Sequence, residues 1–196
     1  MVAAFILIML GYSQTARMNE TKDGNRDLGT SYPKQAYQAN YEQTTETETG
    51  VMTVYSDGQG HVRVENSFQN SKNPQITIYD FTSKKKYFLQ EAARTYMVSG
   101  MSSLGMGFMD EEMFKSTGAE SLGVATLNNR PCIGYKSTLL GEGNSAMESW
   151  FDQATGCLMK SKTKVITYNF VHYSGKPPRA QLFEVPKDYK EIPLGF

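Results

Sequence analysis

The chain contains few of the residues that typically form metal sites, disulfide scaffolds or nucleic-acid surfaces. Its 196 residues include 2 His, 2 Cys and 1 Trp. The 20 Lys and Arg residues balance 20 Asp and Glu residues, so the formal net charge is zero. Because neutralisation of phosphates by basic side chains dominates nucleic-acid affinity, this balance argues against a nucleic-acid partner. Two cysteines are also too few to be the main support of a domain of this size.

Catalytic motifs are missing as well. The histidines, His61 and His172, have no cysteine or histidine at the spacing of a zinc site, and surface or half-buried strand positions explain them better. No Gly-x-Ser-x-Gly motif of a serine hydrolase is present. Glu46 and Glu48 would lie on one strand face about 7 Å apart, within glycosidase range, but a solvated strand face has the same pattern. We therefore expect no enzymatic activity, no metal and no cofactor, and a hydrolase that uses these glutamates is the third alternative.

A short unbroken apolar run over residues 2–10 is followed by small residues at Gly11 and Ser13. This pattern is typical of a signal peptide with its cleavage site, and the run is far shorter than the roughly 20 apolar residues that span a bilayer. The polar residues after it are typical of a flexible linker. We predict a signal peptide over residues 1–13, a linker over residues 14–31 and one folded domain over residues 32–196.

Beyond the linker, short aromatic and β-branched runs alternate with turn signals, which predicts antiparallel strands. The first strands are expected at residues 36–49 and 51–56, and an edge or last strand at residues 181–185. Residues 57–60 and the pair Asn128-Asn129 predict tight hairpin turns, because Gly and Asn tolerate a positive φ.

One strand segment indicates which faces are wet. In residues 157–164, lysines alternate with Met159, Ser161 and other uncharged residues, so the lysine face is expected to meet solvent. Too few helical stretches are present to cover an open sheet on the other face. We therefore predict a mainly β domain: a strongly curved antiparallel sheet, or half-barrel, with one short helix or loop as a lid.

A segment rich in methionine and glycine, residues 97–114, interrupts the strand pattern. It predicts a flexible apolar loop that leads into a short helix, with acidic residues 110–112 in the first helical turn. Methionine adapts to variable apolar partners and also fills gaps in cores. The segment is therefore either a lid over a ligand or a plug that fills the sheet interior. The candidate ligand-binding residues are Met97, Met101, Leu104, Met106, Phe108, Met109, Met113 and Phe114.

Cys132 and Cys157 are a candidate disulfide pair. Export into an oxidising compartment favours a bond between them. The turn positions, however, place the two residues two strands apart, about 10 Å, which is too far for a disulfide without a bulge. The bonded and the free state both remain open at this point.

Several segments of the chain together resemble a known group of proteins. They are residues 78–90, 95–96, 127–136 and 148–151, and residues 183–189 with the pattern Phe-Glu-Val-Pro-x-x-Tyr. The resemblance is to exported proteins of Bacteroidetes-type bacteria, an uncharacterised family that is similar to the LolA/LolB-like superfamily of lipoprotein carriers. It implies a half-barrel with a lid over an apolar cavity, and a periplasmic or secreted location in a Gram-negative bacterium. No catalytic residue is implied.

These observations together predict an exported, non-enzymatic protein. Its concave sheet face is expected to bind a lipid, an acyl chain or another hydrophobic ligand. An envelope lipoprotein or a membrane surface is a further candidate partner. The alternative is a structural or interaction module of the cell envelope that has a filled interior and no ligand.

Overall fold

The computed structural model describes residues 32–101, 110–138 and 146–193. The predicted signal peptide and linker lie outside the described residues, so both remain predictions. Four candidate ligand-binding residues also lie outside them: Leu104, Met106, Phe108 and Met109.

The described residues form one 12-stranded sheet in the order β12-β6-β5-β4-β3-β2-β1-β11-β10-β9-β8-β7. The strands are β1 (Ala36–Thr45), β2 (Thr49–Asp57), β3 (His61–Phe68), β4 (Gln75–Asp80), β5 (Lys85–Gln90), β6 (Thr95–Gly100), β7 (Glu120–Leu127), β8 (Arg130–Ser137), β9 (Met147–Asp152), β10 (Leu158–Lys162), β11 (Ile166–Ser174) and β12 (Lys190–Glu191). Helix α1 spans Glu111–Ser116, and short 3₁₀ helices span Glu91–Ala93 and Ala180–Phe183. The sheet is curved and not closed, which confirms the predicted fold class.

The alternation of buried and more exposed residues along the strands defines two faces of the sheet. In β1, Tyr37, Ala39, Tyr41 and Gln43 are buried, whereas the residues between them are more exposed. Because successive side chains of a strand point to opposite faces, the buried set marks one face, which we call the inner face. The predicted wet lysine face is also observed, since Ser161 is buried while Lys162 is exposed.

Hairpin turns have the expected chemistry. Asn128 and Asn129 connect β7 to β8 with φ values of 52° and 60°, which is the left-handed region required by a two-residue primed turn. Gly58 and Gly60 connect β2 to β3 with φ values of 73° and 110°. These turns place the neighbouring strands in antiparallel register, as the sequence predicts.

The prediction of a first strand over residues 36–49 is wrong at its end. β1 ends at Thr45, whose hydroxyl donates to the carbonyl of Glu48 at 3.0 Å and accepts from the Glu48 amide at 3.1 Å. Such a threonine side chain competes with the strand ladder and favours a turn. Glu46 and Glu48 therefore belong to a turn and do not form a pair on a strand face.

The prediction of a strand over residues 181–185 is also wrong. This part of the chain forms a 3₁₀ turn, and Pro186, which has no amide proton, cannot continue a ladder. The chain then reaches β12, which pairs in parallel with β6. We call residues 179–193 the C-terminal strap, because they cross the sheet face opposite the inner face.

Two hydrophobic cores lie on opposite faces of the sheet. The inner core combines residues of β1, β2, β3, β8 and β9 with α1, and includes Tyr37, Tyr41, Val54, Val62, Phe114, Tyr135 and Phe151. The outer core consists of Ile76, Ile78 and Leu89, against which Tyr87, Tyr96, Val185 and Tyr189 pack. The C-terminal strap thus covers the outer core, and α1 covers the part of the inner core at β8 and β9.

Candidate ligand site on the inner face

Helix α1 begins at a well-formed cap. The Asp110 side chain accepts a hydrogen bond from the Met113 amide at 2.8 Å, and Glu111 and Glu112 occupy the first turn, as predicted. Carboxylates at this end satisfy free amides and interact well with the helix dipole. A helix of this length is nevertheless unstable alone in water, so packing against the sheet must hold it.

That packing comes from two apolar residues of α1. Phe114 is 0% exposed and Met113 is 3% exposed. The Phe114 ring lies edge-on to Phe151, with 5.5 Å between centroids, and 6.4 Å from the ring of Tyr135. The Phe114 side chain therefore fills the inner face above β8 and β9.

The polar contacts of α1 with the sheet lie at its margins. The Tyr135 hydroxyl donates to Glu111 Oε1 at 2.9 Å. The hydroxyls of Thr117 and Ser137 lie 3.3 Å apart at the other end of the helix. α1 thus rests on an aromatic surface with hydrogen bonds at its rim.

The neighbouring inner surface is aromatic and uncharged. Tyr37 stacks on Tyr173 at 5.6 Å, and the Tyr41 hydroxyl lies 3.5 Å from Cys157 Sγ. Burial raises the pKa of Tyr37 and Tyr41 well above the usual tyrosine value, and it raises the pKa of the Cys157 thiol to about 11. These groups are neutral near pH 7, so this surface suits an apolar ligand and holds no thiolate nucleophile.

The two cysteines are free, buried thiols in the structure. Cys132 Sγ donates to the carbonyl of Arg130 at 3.4 Å, whereas Cys157 contacts Tyr41. They thus have separate partners, and a disulfide between them stays a prediction.

The inner face continues beyond α1 to β4, β5 and β6, where a lysine is buried. Lys86 is 2% exposed, and its Nζ lies 4.7 Å from the centroid of Phe88 and 5.9 Å from that of Tyr79. Burial lowers its pKa from 10.5 to about 8. Sequence reasoning missed this residue, because it stands in a run of three lysines that suggests solvent. The strand alternation that pairs Lys86 with Tyr79 was the available signal.

The structure brings some candidate residues of the methionine-rich segment together. Met113 and Phe114 belong to the inner core, and Met101 packs against it. Met97, the first residue of the segment, lies within β6 and pairs with Phe88, so the predicted loop cannot begin there; its contact with a ligand stays a prediction. The strand extends this far because Thr95, Tyr96 and Val98 are aromatic or β-branched and favour extended backbone.

Two grooves are lined by the described residues. A groove of about 210 Å³ is lined by Thr117, Gly118 and residues of β7 and β8. A second groove, of about 500 Å³, lies at the ends of β1, β2 and β3. The described inner surface beneath α1 is filled by Met113 and Phe114.

The two histidines occupy strand positions, as expected. His61 is half-buried, with Nδ1 2.5 Å from Asp57 Oδ2 and Nε2 3.8 Å from Asp80 Oδ1. His172 is exposed in β11. Within the described ranges, no cluster of three His, Cys, Asp or Glu side chains is arranged to hold a metal ion.

No protein-family model matches the sequence, and no curated protein matches it significantly. Among solved structures, an uncharacterized conserved protein from Thermus thermophilus aligns with a TM-score of 0.61 at 18% identity, covering 82% of this chain and 91% of that one. MucB aligns with a TM-score of 0.50 at 13% identity, covering 83% of this chain. This chain spans 61% of the MucB chain. These two likenesses show a shared fold.

A LolA-superfamily protein from Nitrosomonas europaea is also among the neighbours, with a TM-score of 0.39 and 8% identity, covering 81% of this chain and 94% of that one. This likeness is too distant to carry an argument about function. Within the described residues, no helix is both long and apolar enough to cross a membrane.

Proposed function

We propose that this is an exported, non-enzymatic protein of a Gram-negative envelope that binds a lipid, an acyl chain or a similar hydrophobic ligand on its inner face, with α1 as a movable lid. One observation carries the proposal: the aromatic inner surface is covered by a six-residue helix through Phe114, which is 0% exposed. Such a short helix has little stability of its own. An acyl chain could replace its apolar contacts on Phe151 and Tyr135.

The chemistry of the surface agrees with this ligand class. Hydrophobic attraction is non-directional, so a neutral aromatic floor accepts apolar chains of different structure. Tyr37 and Tyr41 present rings whose hydroxyls stay neutral. The placement of Glu46 and Glu48 in a turn removes the strand-face arrangement on which a hydrolase was considered.

A second candidate is a structural or interaction module of the envelope with a filled interior. The burial of Met113 and Phe114 in the inner core favours it. The two candidates differ in one physical respect. A lid must leave the sheet for a ligand to bind, whereas a plug never needs to move.

A reversible disulfide between α1 and β8 tests this difference. The hydroxyls of Thr117 and Ser137 are 3.3 Å apart, so cysteines at both positions are close enough to be bonded. The double variant Thr117→Cys/Ser137→Cys is titrated with a fluorescent long-chain fatty acid, oxidised and then reduced. The single variant Thr117→Cys under the same two conditions is the matched control.

We expect the oxidised double variant to lose most of its probe binding, and reduction to restore it. The single variant should bind the probe equally in both conditions. Probe binding that the lock leaves unchanged, or no probe binding by any form including the unmodified protein, would exclude the lid and favour the filled module. Lipid extraction of the protein from its native envelope then identifies the natural ligand.

A further inference from the structure

The two edges of the sheet differ in whether another part of the described chain pairs with them. At the β6 edge, the C-terminal strap adds β12, whose Lys190 amide donates to the carbonyl of Arg94 at 3.0 Å, and the Ile192 amide donates to that of Tyr96 at 2.9 Å. At the other edge, β7 pairs with β8 and ends the sheet in the part of the chain that the structure describes. Among the described residues, no strand pairs with the outer side of β7, which carries a row of main-chain donors and acceptors.

The composition of β7 does not protect this edge. Natural edge strands are commonly blunted by charged residues, proline or a bulge. Residues 121–127 contain neither a charge nor a proline. A bulge between Ser121 and Gly123, with φ of 78° at Gly123, distorts the first part of the strand. The second part, residues 123–127, has no such protection, and Val124 is 65% exposed there, more than the exposed Val51, Val165 or Val171.

We propose that the β7 edge is a homodimer interface, in which β7 of one copy pairs antiparallel with β7 of a second copy about a twofold axis. The covered β6 edge supports this occupant. The strap occupies the main chain of β6 at Thr95 and Tyr96, so a head-to-tail pairing of β7 with β6 is limited to residues 97–100. An isologous contact between two β7 edges can use the whole of residues 123–127, and it closes after two copies.

The distribution of charge along β7 is also compatible with pairing between two copies of this strand. Antiparallel pairing places the two copies of Glu120, the charged residue of β7, at opposite ends of the interface, so they do not repel each other. The uncharged residues 123–127 form its centre, where Val124 gains a cross-strand neighbour from the second copy. Two such strands would join the sheets into one continuous sheet.

The experiment measures self-association by sedimentation velocity over a wide concentration range. We expect the unmodified protein to dimerise, and Val124→Lys to weaken the dimer at least about tenfold, because like charges then meet across the strand pair and apolar burial is lost. The matched control is Val171→Lys, which adds the same charge at a residue that is 55% exposed on the interior strand β11. It should leave the dimer unchanged.

Amide hydrogen exchange provides a readout that does not depend on a variant. In the unmodified protein, exchange in residues 123–127 should slow as the concentration rises, since the outer amides become hydrogen-bonded. A monomer at all concentrations, or a dimer that Val124→Lys leaves intact, would overturn the proposal. A dimer that Val171→Lys disrupts as strongly as Val124→Lys would overturn the assignment to β7.

Discussion

Helix α1 and the C-terminal strap cover opposite faces of the same sheet by different means. The strap is held by directional contacts: main-chain pairing with β6, a 3.2 Å bond from Arg63 to the carbonyl of Leu182, and an ion pair of 3.3 Å between Arg94 and Asp188. α1 is held mainly by the burial of Met113 and Phe114. Directional main-chain pairing requires one register, whereas apolar burial does not. The strap is therefore tied to the sheet through its main chain, whereas the attachment of α1 depends on side-chain burial, which is the property that the proposed lid requires.

The largest expected effect is at α1. Phe114→Ala should lower the free energy of unfolding by about 3–5 kcal/mol, because it removes a fully buried ring and leaves a cavity against Phe151 and Tyr135. Urea unfolding followed by circular dichroism measures it. Val171→Ala, at an exposed position, is the control and should change stability little. A loss below about 1 kcal/mol for Phe114→Ala would show that α1 is not held by this side chain.

The next effect concerns the inner face beyond α1. The Lys86 pKa is about 8 in the folded protein and 10.5 in a solvated chain, so the unfolded chain binds more protons between these pH values. The free energy of unfolding should therefore rise as the pH increases from about 8 to 10.5, by up to about 3 kcal/mol.

Lys86→Met should remove this rise, because the variant has no group that titrates at this position. The neighbouring Lys85 is exposed, so Lys85→Met is a closely matched control that should retain the pH dependence. Equal pH profiles for the two variants would show that the Lys86 ammonium is well solvated and that the inner face is wet at this point.

The smallest effect is expected at the strap. Tyr189 is only half-buried against the outer core, so Tyr189→Ala should cost about 1–2 kcal/mol, and the main-chain pairing of β12 should persist. Urea unfolding measures the cost, and the exposed Lys187→Ala is the control. A cost equal to that of Phe114→Ala would break the comparison, because the strap would then depend on side-chain burial as much as α1 does.

Local patterns were enough to predict much of the fold. The alternation in β1, the asparagine pair between β7 and β8 and the acidic first turn of α1 all depend on a few neighbouring residues, and the structure confirms them. The errors arose where local signals compete. Thr45 ends β1 through a side-chain bond to the turn. Residues 181–185 have strand composition but contact the sheet through the Leu182 carbonyl and the Val185 side chain, and the strap joins the ladder only at β12.

The candidate site was predicted less completely. Met113 and Phe114 were identified as residues that cover the inner face, but Met97 turned out to be a strand residue, and Lys86 was missed. Whether a residue in a charged run points inward depends on strand register, which is set jointly by β4, β5 and β6.

The periodic residues, turn pairs and helix cap of this chain were sufficient to specify an antiparallel sheet with one apolar face and a short helix, because each acts over a few residues. Only the tertiary structure decided which elements cover which face. Helix α1 packs on the inner core, and the strap packs on the outer core and pairs with β6. No strand of the described chain pairs with the outer side of β7. These outcomes depend on contacts between residues far apart in sequence. Here the burial of Phe114 against Phe151 and the pairing of Glu191 with Tyr96 are the decisive ones.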